Sequence, residues 1–328
     1  MFKKVLDLFK KWNSVAIITH YNADGDAFGS ALMLHEFLTL NFPNIDKDIF
    51  TETATITENF SIMLGDMKIN PERKKYAIAI AVDCADTGRF SKYNEIFATA
   101  KYTVNIDHHQ DNAYYADLNF VAPTSSNCEN LYNLLKSTNL QMNKKIASFA
   151  CVGVLTDTNA LSVPTVTDKT YALVSEFYSL DVDVFKIRKM FFGGYNKTVY
   201  DLIATALTKT EFICNNRVMF IVLNRSDLKR CNATESDVGA IINTIFSLSK
   251  SLACFLVSPR EKEWHVSMRS IDGINVNMIA KSMDGGGHLC ASACNTKLST
   301  AKIKENIVKE VNKQLKKYIP TNYNKLFE

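Results

Sequence analysis

Along the first third of the chain, short aliphatic runs alternate with segments whose apolar positions recur every three to four residues. The runs at 15–19, 48–53, 76–82 and 102–106 read as strands, and the amphipathic stretches around them, 27–40 among them, read as helices. Such alternation predicts an α/β fold with a mainly parallel sheet flanked by helices. Three of the strands end on polar residues: His20 to Asp26 after the first, Asp83 after the third, and Asp107, His108 and His109 after the fourth. In doubly wound sheets the ligand crevice lies beyond the carboxyl ends of the strands, so these endings describe one site.

After Asn119 the pattern turns helical. Ser126 and Glu129 have the spacing of a capping box ahead of a helix at 130–135, and further helices fit 144–155, 168–179 and 182–192. A fourth polar cluster, Thr156-Asp157-Thr158-Asn159, closes one of these apolar runs. Gly193 and Gly194 break the pattern, which divides the chain into domains at 1–190 and 201–328 with a linker at 191–200. The second, smaller domain is also α/β. It reads as a helix at 198–208, a hairpin at 212–223 around Asn215-Asn216, a helix at 236–248, strands at 253–257 and 264–269, and a short helix at 276–283. A Gly285-Gly286-Gly287-His288 turn and a lysine-rich terminal helix, 302–317, complete it, and the lysines read as a solvated face.

A length of 328 residues suits about two domains. With 47% hydrophobic and 22% charged residues the composition is that of globular proteins, which excludes collagen-like and disordered classes. The net charge of +4 is too small and dispersed for coating duplex DNA. Eight scattered cysteines without a Cys-x-x-Cys pair, and an N-terminal segment that reads as an amphipathic helix rather than a signal sequence, point to reduced thiols and a cytoplasmic protein. No apolar stretch approaches the ~20 residues that span a bilayer.

His20, Asp24 and Asp26 put one imidazole and two carboxylates into a single turn between strand and helix. Carboxylates this close repel unless a cation lies between them, and an oxygen-rich set with some imidazole suits Mn²⁺ or Mg²⁺ better than Zn²⁺. Each acidic residue alone also fits a turn or helix cap. Taken together, Asp24, Asp26, Asp83, Asp157, His20 and His108 are enough for two ions sharing a bridging group.

The segments His-Tyr-Asn-Ala-Asp-Gly-Asp-Ala-Phe-Gly-Ser (20–30), Val-Asp (82–83), Asp-His-His-x-x-Asn (107–112) and Gly-Val-Leu-Thr-Asp-Thr (153–158) resemble the successive motifs of the DHH phosphoesterases. Arg269-Ser270 and Gly285-Gly-Gly-His-x-x-Ala291 resemble the DHH-associated C-terminal domain. The nearest branch is that of bacterial nanoRNases and pAp phosphatases. The resemblance implies that His20, Asp24 and Asp83 hold one divalent ion and that Asp26, Asp83, His108 and Asp157 hold a second, with Asp83 as the bridge. It makes His109 and Asp83 catalytic, His109 facing the scissile phosphate, and gives Asp107 the task of orienting a histidine. Mn²⁺ is expected ahead of Mg²⁺ or Co²⁺, and a hydroxide between the ions is the expected nucleophile, in a cleft between the domains.

The implied substrates are short single-stranded RNA, cut to mononucleotides, and pAp, converted to AMP. The alternatives are a c-di-AMP or pApA phosphodiesterase and, in a different class, a catalytically silent nucleotide-binding module. No membrane or duplex DNA partner is expected, and a homodimer stays open. Gly286, Gly287 and His288 would present backbone N–H groups to an anion, Arg269 with Ser270 would grip a phosphate, and Arg89 is a further phosphate contact. Tyr21, Phe28 and Tyr195 are candidates for stacking a base. Three departures from the family pattern, Ala23 for proline, Asn159 for glycine, and Ala293-Cys294 where a glycine is usual, bear on substrate preference and spare the metal ligands.

Overall fold

Five apolar runs become the strands of an all-parallel sheet: β1 (Ser14–Ile18), β2 (Asp46–Phe50), β3 (Ile78–Val82), β4 (Tyr102–Asp107) and β5 (Leu118–Val121), in the order β2-β1-β3-β4-β5. The computed structural model describes residues 2–317 apart from 54, 55, 74, 195 and 272. β1 and β3 are buried along their whole length. That explains why they read as continuous apolar runs instead of alternating ones. The strand order reverses between β1 and β3, the switch point at which ligand crevices open in such sheets. His20 and Asp83 follow those two strands.

Around this sheet lie α1 (Lys3–Lys11), α2 (Gly25–Asn41), α3 (Glu58–Leu64), α4 (Asn94–Thr99), α5 (Asn127–Lys136), α6 (Lys144–Asp157), α7 (Asp168–Ser179) and α8 (Val184–Phe192). α2 is apolar nearly all round and packs on α6. Gly29 makes the approach close, since a Cβ there would meet the Phe149 carbonyl oxygen at 2.7 Å.

Some expectations need correction. β5 is a strand inside a region that read as loop and helix; at four residues, mostly half-buried, it is too short for a periodic signal. Ser126 does cap α5, accepting from the Glu129 amide at 3.0 Å. The Glu129 carboxylate, however, bonds the hydroxyls of Ser125 and Thr170 instead of returning to the cap, so only half of the capping box forms. Phe28 is only 1% exposed and stacks on Phe60 at 4.4 Å, which removes it as a platform for a base. Tyr195 lies outside the described residues.

A second compact unit begins after Gly194. Its strands are β6 (Glu211–Ile213), β7 (Val218–Val222), β8 (Ala253–Pro259), β9 (Trp264–Ser270), β10 (Gly286–Gly287) and β11 (Ala291–Thr296), in the order β10-β11-β9-β8-β7-β6. All pairs are antiparallel except β7 with β8. Its helices are α9 (Lys197–Thr208), α10 (Arg225–Arg230), α11 (Glu235–Ser247), α12 (Val276–Lys281) and α13 (Thr300–Leu315). β8 is buried on both faces: Phe255 and Val257 join a core with Ile303 and Ile307 of α13, and Cys254 and Leu256 join one with Leu202 of α9 and Ile241 of α11. Among the described residues no helix is long and apolar enough to cross a membrane.

Candidate metal centre

The turn after β1 is built by its own polar groups. Asp24 caps α2, its Oδ1 accepting from the amides of Asp26 at 2.9 Å and Ala27 at 3.1 Å. His20 donates from Nδ1 to the Tyr21 carbonyl at 2.7 Å. That bond fixes the tautomer and turns Nε2 toward Asp83 Oδ2 at 3.6 Å and Asp24 Oδ1 at 4.0 Å.

Asp83, one residue past β3, sits in the left-handed region with φ +58°. For a non-glycine residue this costs about 1–3 kcal/mol and survives only where the surroundings over-determine it. Here it aims a buried carboxylate both ways: Oδ2 toward His20, and Oδ1 toward His108 Nε2 at 3.5 Å. That Oδ1 has no hydrogen-bond partner among the described residues. A buried carboxylate oxygen left unpaired is costly, and a cation beside it would satisfy it.

His108 repeats the arrangement of His20. Its Nδ1 lies 3.2 Å from the Thr124 carbonyl, and its Nε2 faces Asp157 Oδ2 at 3.7 Å and Asp26 Oδ2 at 3.9 Å as well as Asp83. Asp26 is fully buried at the head of α5, accepting from the amides of Asn127 at 2.6 Å and Cys128 at 2.8 Å. The positive end of that helix favours the carboxylate. Asp157 is the last residue of α6, and the chain leaves it through Asn159, Ala160 and Leu161, with φ of +46°, +55° and +68°. Asn159 thus holds a left-handed position, which asparagine tolerates better than most residues other than glycine.

Without a cation, protons take its place. Burial disfavours the imidazolium of His20, but Asp83 and Asp24 outweigh it and hold its pKa at about 9. At His108 burial is likewise outweighed, by Asp83, Asp26 and Asp157, and the pKa rises to about 10. Burial, with like charge from Asp83, lifts the Asp157 carboxyl to about 7. Asp83 is held well below the ordinary carboxylate range, its burial overcome by the two histidines. The donor set fits divalent cations: His20, Asp24 and Asp83 form one group, Asp26, His108 and Asp157 another, with the ligand atoms of each within 4.8 Å of one another.

His109 bonds Asp107 Oδ1 through Nδ1 at 2.8 Å and stands 3.8 Å from Asp83 Oδ1. Asp107 is fully buried and also accepts from Asn112 Nδ2 at 2.5 Å. Asn112, the last residue of the 107–112 motif, thus supports Asp107, a role its spacing alone does not reveal. Gly153, which opens the 153–158 motif, matters for its lack of a side chain: a Cβ there would fall 2.4 Å from Asp26 Oδ1.

The remaining sequence candidates divide between the two units. Arg89 places its guanidinium over the Tyr21 ring at 5.4 Å, with a buried Nε that finds no partner among the described residues. In the second unit, Arg269 on β9 donates from Nε to Asn243 Oδ1 at 2.7 Å and from Nη1 to the Met268 carbonyl at 2.9 Å. The Ser270 hydroxyl donates to the Ile274 carbonyl at 2.6 Å, so its proton is already spent. Gly286 and Gly287 are not an open turn but the edge strand β10, paired with Ala293 and Ser292 of β11. The His288 amide donates to the Ala291 carbonyl at 2.8 Å, so the expected row of free N–H groups is not formed.

Residues 14–154 match the DHH family, N-terminal domain, and residues 205–317 match the DHHA1 domain. A probable bifunctional oligoribonuclease and PAP phosphatase of Streptococcus mutans is 27% identical over 297 residues, 90% of this chain and 93% of that protein. The bifunctional oligoribonuclease and PAP phosphatase of Bacillus subtilis is 23% identical over 299 residues, 86% of this chain and 88% of that one. The crystal structure of an exopolyphosphatase-related protein from Bacteroides fragilis shares the fold, with a TM-score of 0.87 at 18% identity over 95% of each chain.

Proposed function

The chain is an enzyme of the DHH phosphoesterase family, and from that premise we propose that it hydrolyses short oligoribonucleotides to mononucleotides and pAp to AMP in the cytoplasm. The observation that carries the reading is Asp83, whose two carboxylate oxygens face the imidazoles of two separate acidic groups, one oxygen buried and unpaired. The names of the Streptococcus and Bacillus relatives supply the substrate class.

In this reading His20, Asp24 and Asp83 hold one divalent ion, and Asp26, Asp83, His108 and Asp157 the other, with Mn²⁺ ahead of Mg²⁺ or Co²⁺. When bound, such ions supply Lewis acidity to the phosphoryl group and to the attacking water. Asp83 would link the two sites, since it presents one carboxylate oxygen to His20 and the other to His108. His109, oriented through Nδ1 by Asp107, is the group we assign to protonate the leaving 3'-oxygen as the bond from phosphorus to that oxygen breaks. The second unit carries its own candidate contacts for an anionic ligand, Arg269 with Asn243 on its Nε and the exposed edge at Gly286, Gly287 and His288. Arg89 beside Tyr21 contributes a further cation for the substrate's phosphates.

The test is product analysis after incubating the protein with Mn²⁺ and, separately, pAp, pApA, an RNA trimer and c-di-AMP, each with an EDTA control. The reading expects AMP or mononucleotides from the first three, nothing with EDTA, and c-di-AMP left intact. Preferential cleavage of c-di-AMP, or no metal-dependent product from any substrate, would overturn it.

A further inference from the structure

We propose that Asn112 is a positioning residue, whose side-chain amide ties the Asp107–His109 pair to the strained turn at Asp83 and so sets where the His109 ring stands. The inference rests on the catalytic reading of His109 given above. Asn112 is buried, and its Nδ2 donates to Asp107 Oδ2 at 2.5 Å and to Asn105 Oδ1 at 2.8 Å, with the Cys84 carbonyl at 3.3 Å. Its Oδ1 accepts from the Tyr114 amide at 2.7 Å. Both ends of the amide are therefore engaged, and only one orientation of the side chain satisfies them.

On one side the amide acts through Asp107. That carboxylate is shut off from water and takes one hydrogen bond from Asn112 and one from His109 Nδ1. With its second oxygen held by Asn112, the carboxylate plane is fixed, and with it the direction of the His109 ring. On the other side the amide acts on the backbone of Asp83. The Cys84 carbonyl, directly after the left-handed residue, also accepts from Asn105 Nδ2 at 3.1 Å and from the Tyr115 hydroxyl at 3.0 Å. Three donors on one carbonyl are the kind of over-determination that a strained residue requires. A packing role would ask for volume alone, whereas this position uses a donor and an acceptor in fixed directions.

Two variants of the full chain test the proposal. Asn112→Asp keeps the size and the acceptor for Tyr114 but turns an oxygen toward Asp107, and Asn112→Ser deletes the donor without adding charge. The first readout is the two-bond ¹H–¹⁵N spectrum of the imidazoles, with His109 assigned by its loss in His109→Gln. Both variants should displace the His109 correlations and leave those of His265 in place; unchanged His109 correlations would overturn the proposal. The second readout is a double-mutant cycle on the hydrolysis of pAp. Asn112→Ser should lower kcat at least tenfold with KM within twofold, but change kcat less than twofold in a His109→Gln background. Equal losses in both backgrounds would show that Asn112 acts independently of His109 and would overturn the proposal. Should the wild-type protein hydrolyse neither pAp nor the RNA trimer, the functional reading fails, and the imidazole spectra still decide the positioning role.

Discussion

Gly153 of α6 lies directly against Asp26 of α2: a Cβ at 153 would stand 2.4 Å from Asp26 Oδ1 and 2.2 Å from Cys128 Sγ. The missing side chain is what lets the Asp26 carboxylate reach the two amides at the head of α5. Alanine in a helix interior normally gains about 1 kcal/mol over glycine, but overpacking costs about 1–3 kcal/mol, and here the displaced atom belongs to a proposed ligand. Gly153→Ala should weaken binding of divalent ions and lower turnover at least tenfold. Calorimetric titration with Mn²⁺ checks this, and an unchanged affinity would show that Asp26 does not depend on this contact.

The cation-free cluster should make stability fall with rising pH. His20 and His108 have folded-state pKa values of about 9 and about 10, against an ordinary 6.5. A raised pKa adds stability that is complete below the unfolded value and is lost as pH climbs through the folded one. Protein stripped with EDTA should therefore melt progressively lower between pH 6.5 and pH 10. Because ions must displace the same protons, their apparent affinity should rise across that window. Melting curves with EDTA and with Mn²⁺ at the two ends of the range test both statements; a higher melting temperature at pH 10 in EDTA contradicts the first.

Asn159→Gly should be close to neutral for turnover. The residue has φ +46°, a conformation that asparagine tolerates and glycine adopts freely. A β-branched residue does neither, so Asn159→Val should cost about 1–2 kcal/mol of stability and disturb the exit from Asp157. Thermal unfolding and pAp turnover of the two variants check this, and equal effects would show that the backbone angle at this position is unimportant.

Much of the candidate site was legible in the sequence because its acidic and imidazole groups follow directly on strand ends, where the sheet's topology gathers them. β1 and β3 announced themselves as apolar runs because both of their faces are covered. What stayed hidden was set by contacts between distant segments. Gly153 against Asp26, the α5 amides under the same carboxylate, and Asn112 under Asp107 leave no local periodicity. Glu129 has the spacing of a capping box, but buried hydroxyls from Ser125 and Thr170 compete for its carboxylate and win. Phe28 looked available beside a polar turn, yet the helix it opens is enclosed by α3 and α6. The glycines at 286 and 287 suggested an open loop, and their pairing with β11 depends on a strand that gives only a weak signal of its own.

The central claim, that Asp83 joins two ion sites into one catalytic centre, is tested most directly by Asp83→Asn. Asparagine tolerates the left-handed backbone and keeps the shape of the side chain while removing the charge, so the fold should persist. Metal content after equilibration with Mn²⁺ and pAp hydrolysis would be measured on the same sample. The account predicts fewer than two bound ions per chain and a loss of turnover greater than tenfold. Two ions retained with near-normal turnover would contradict it.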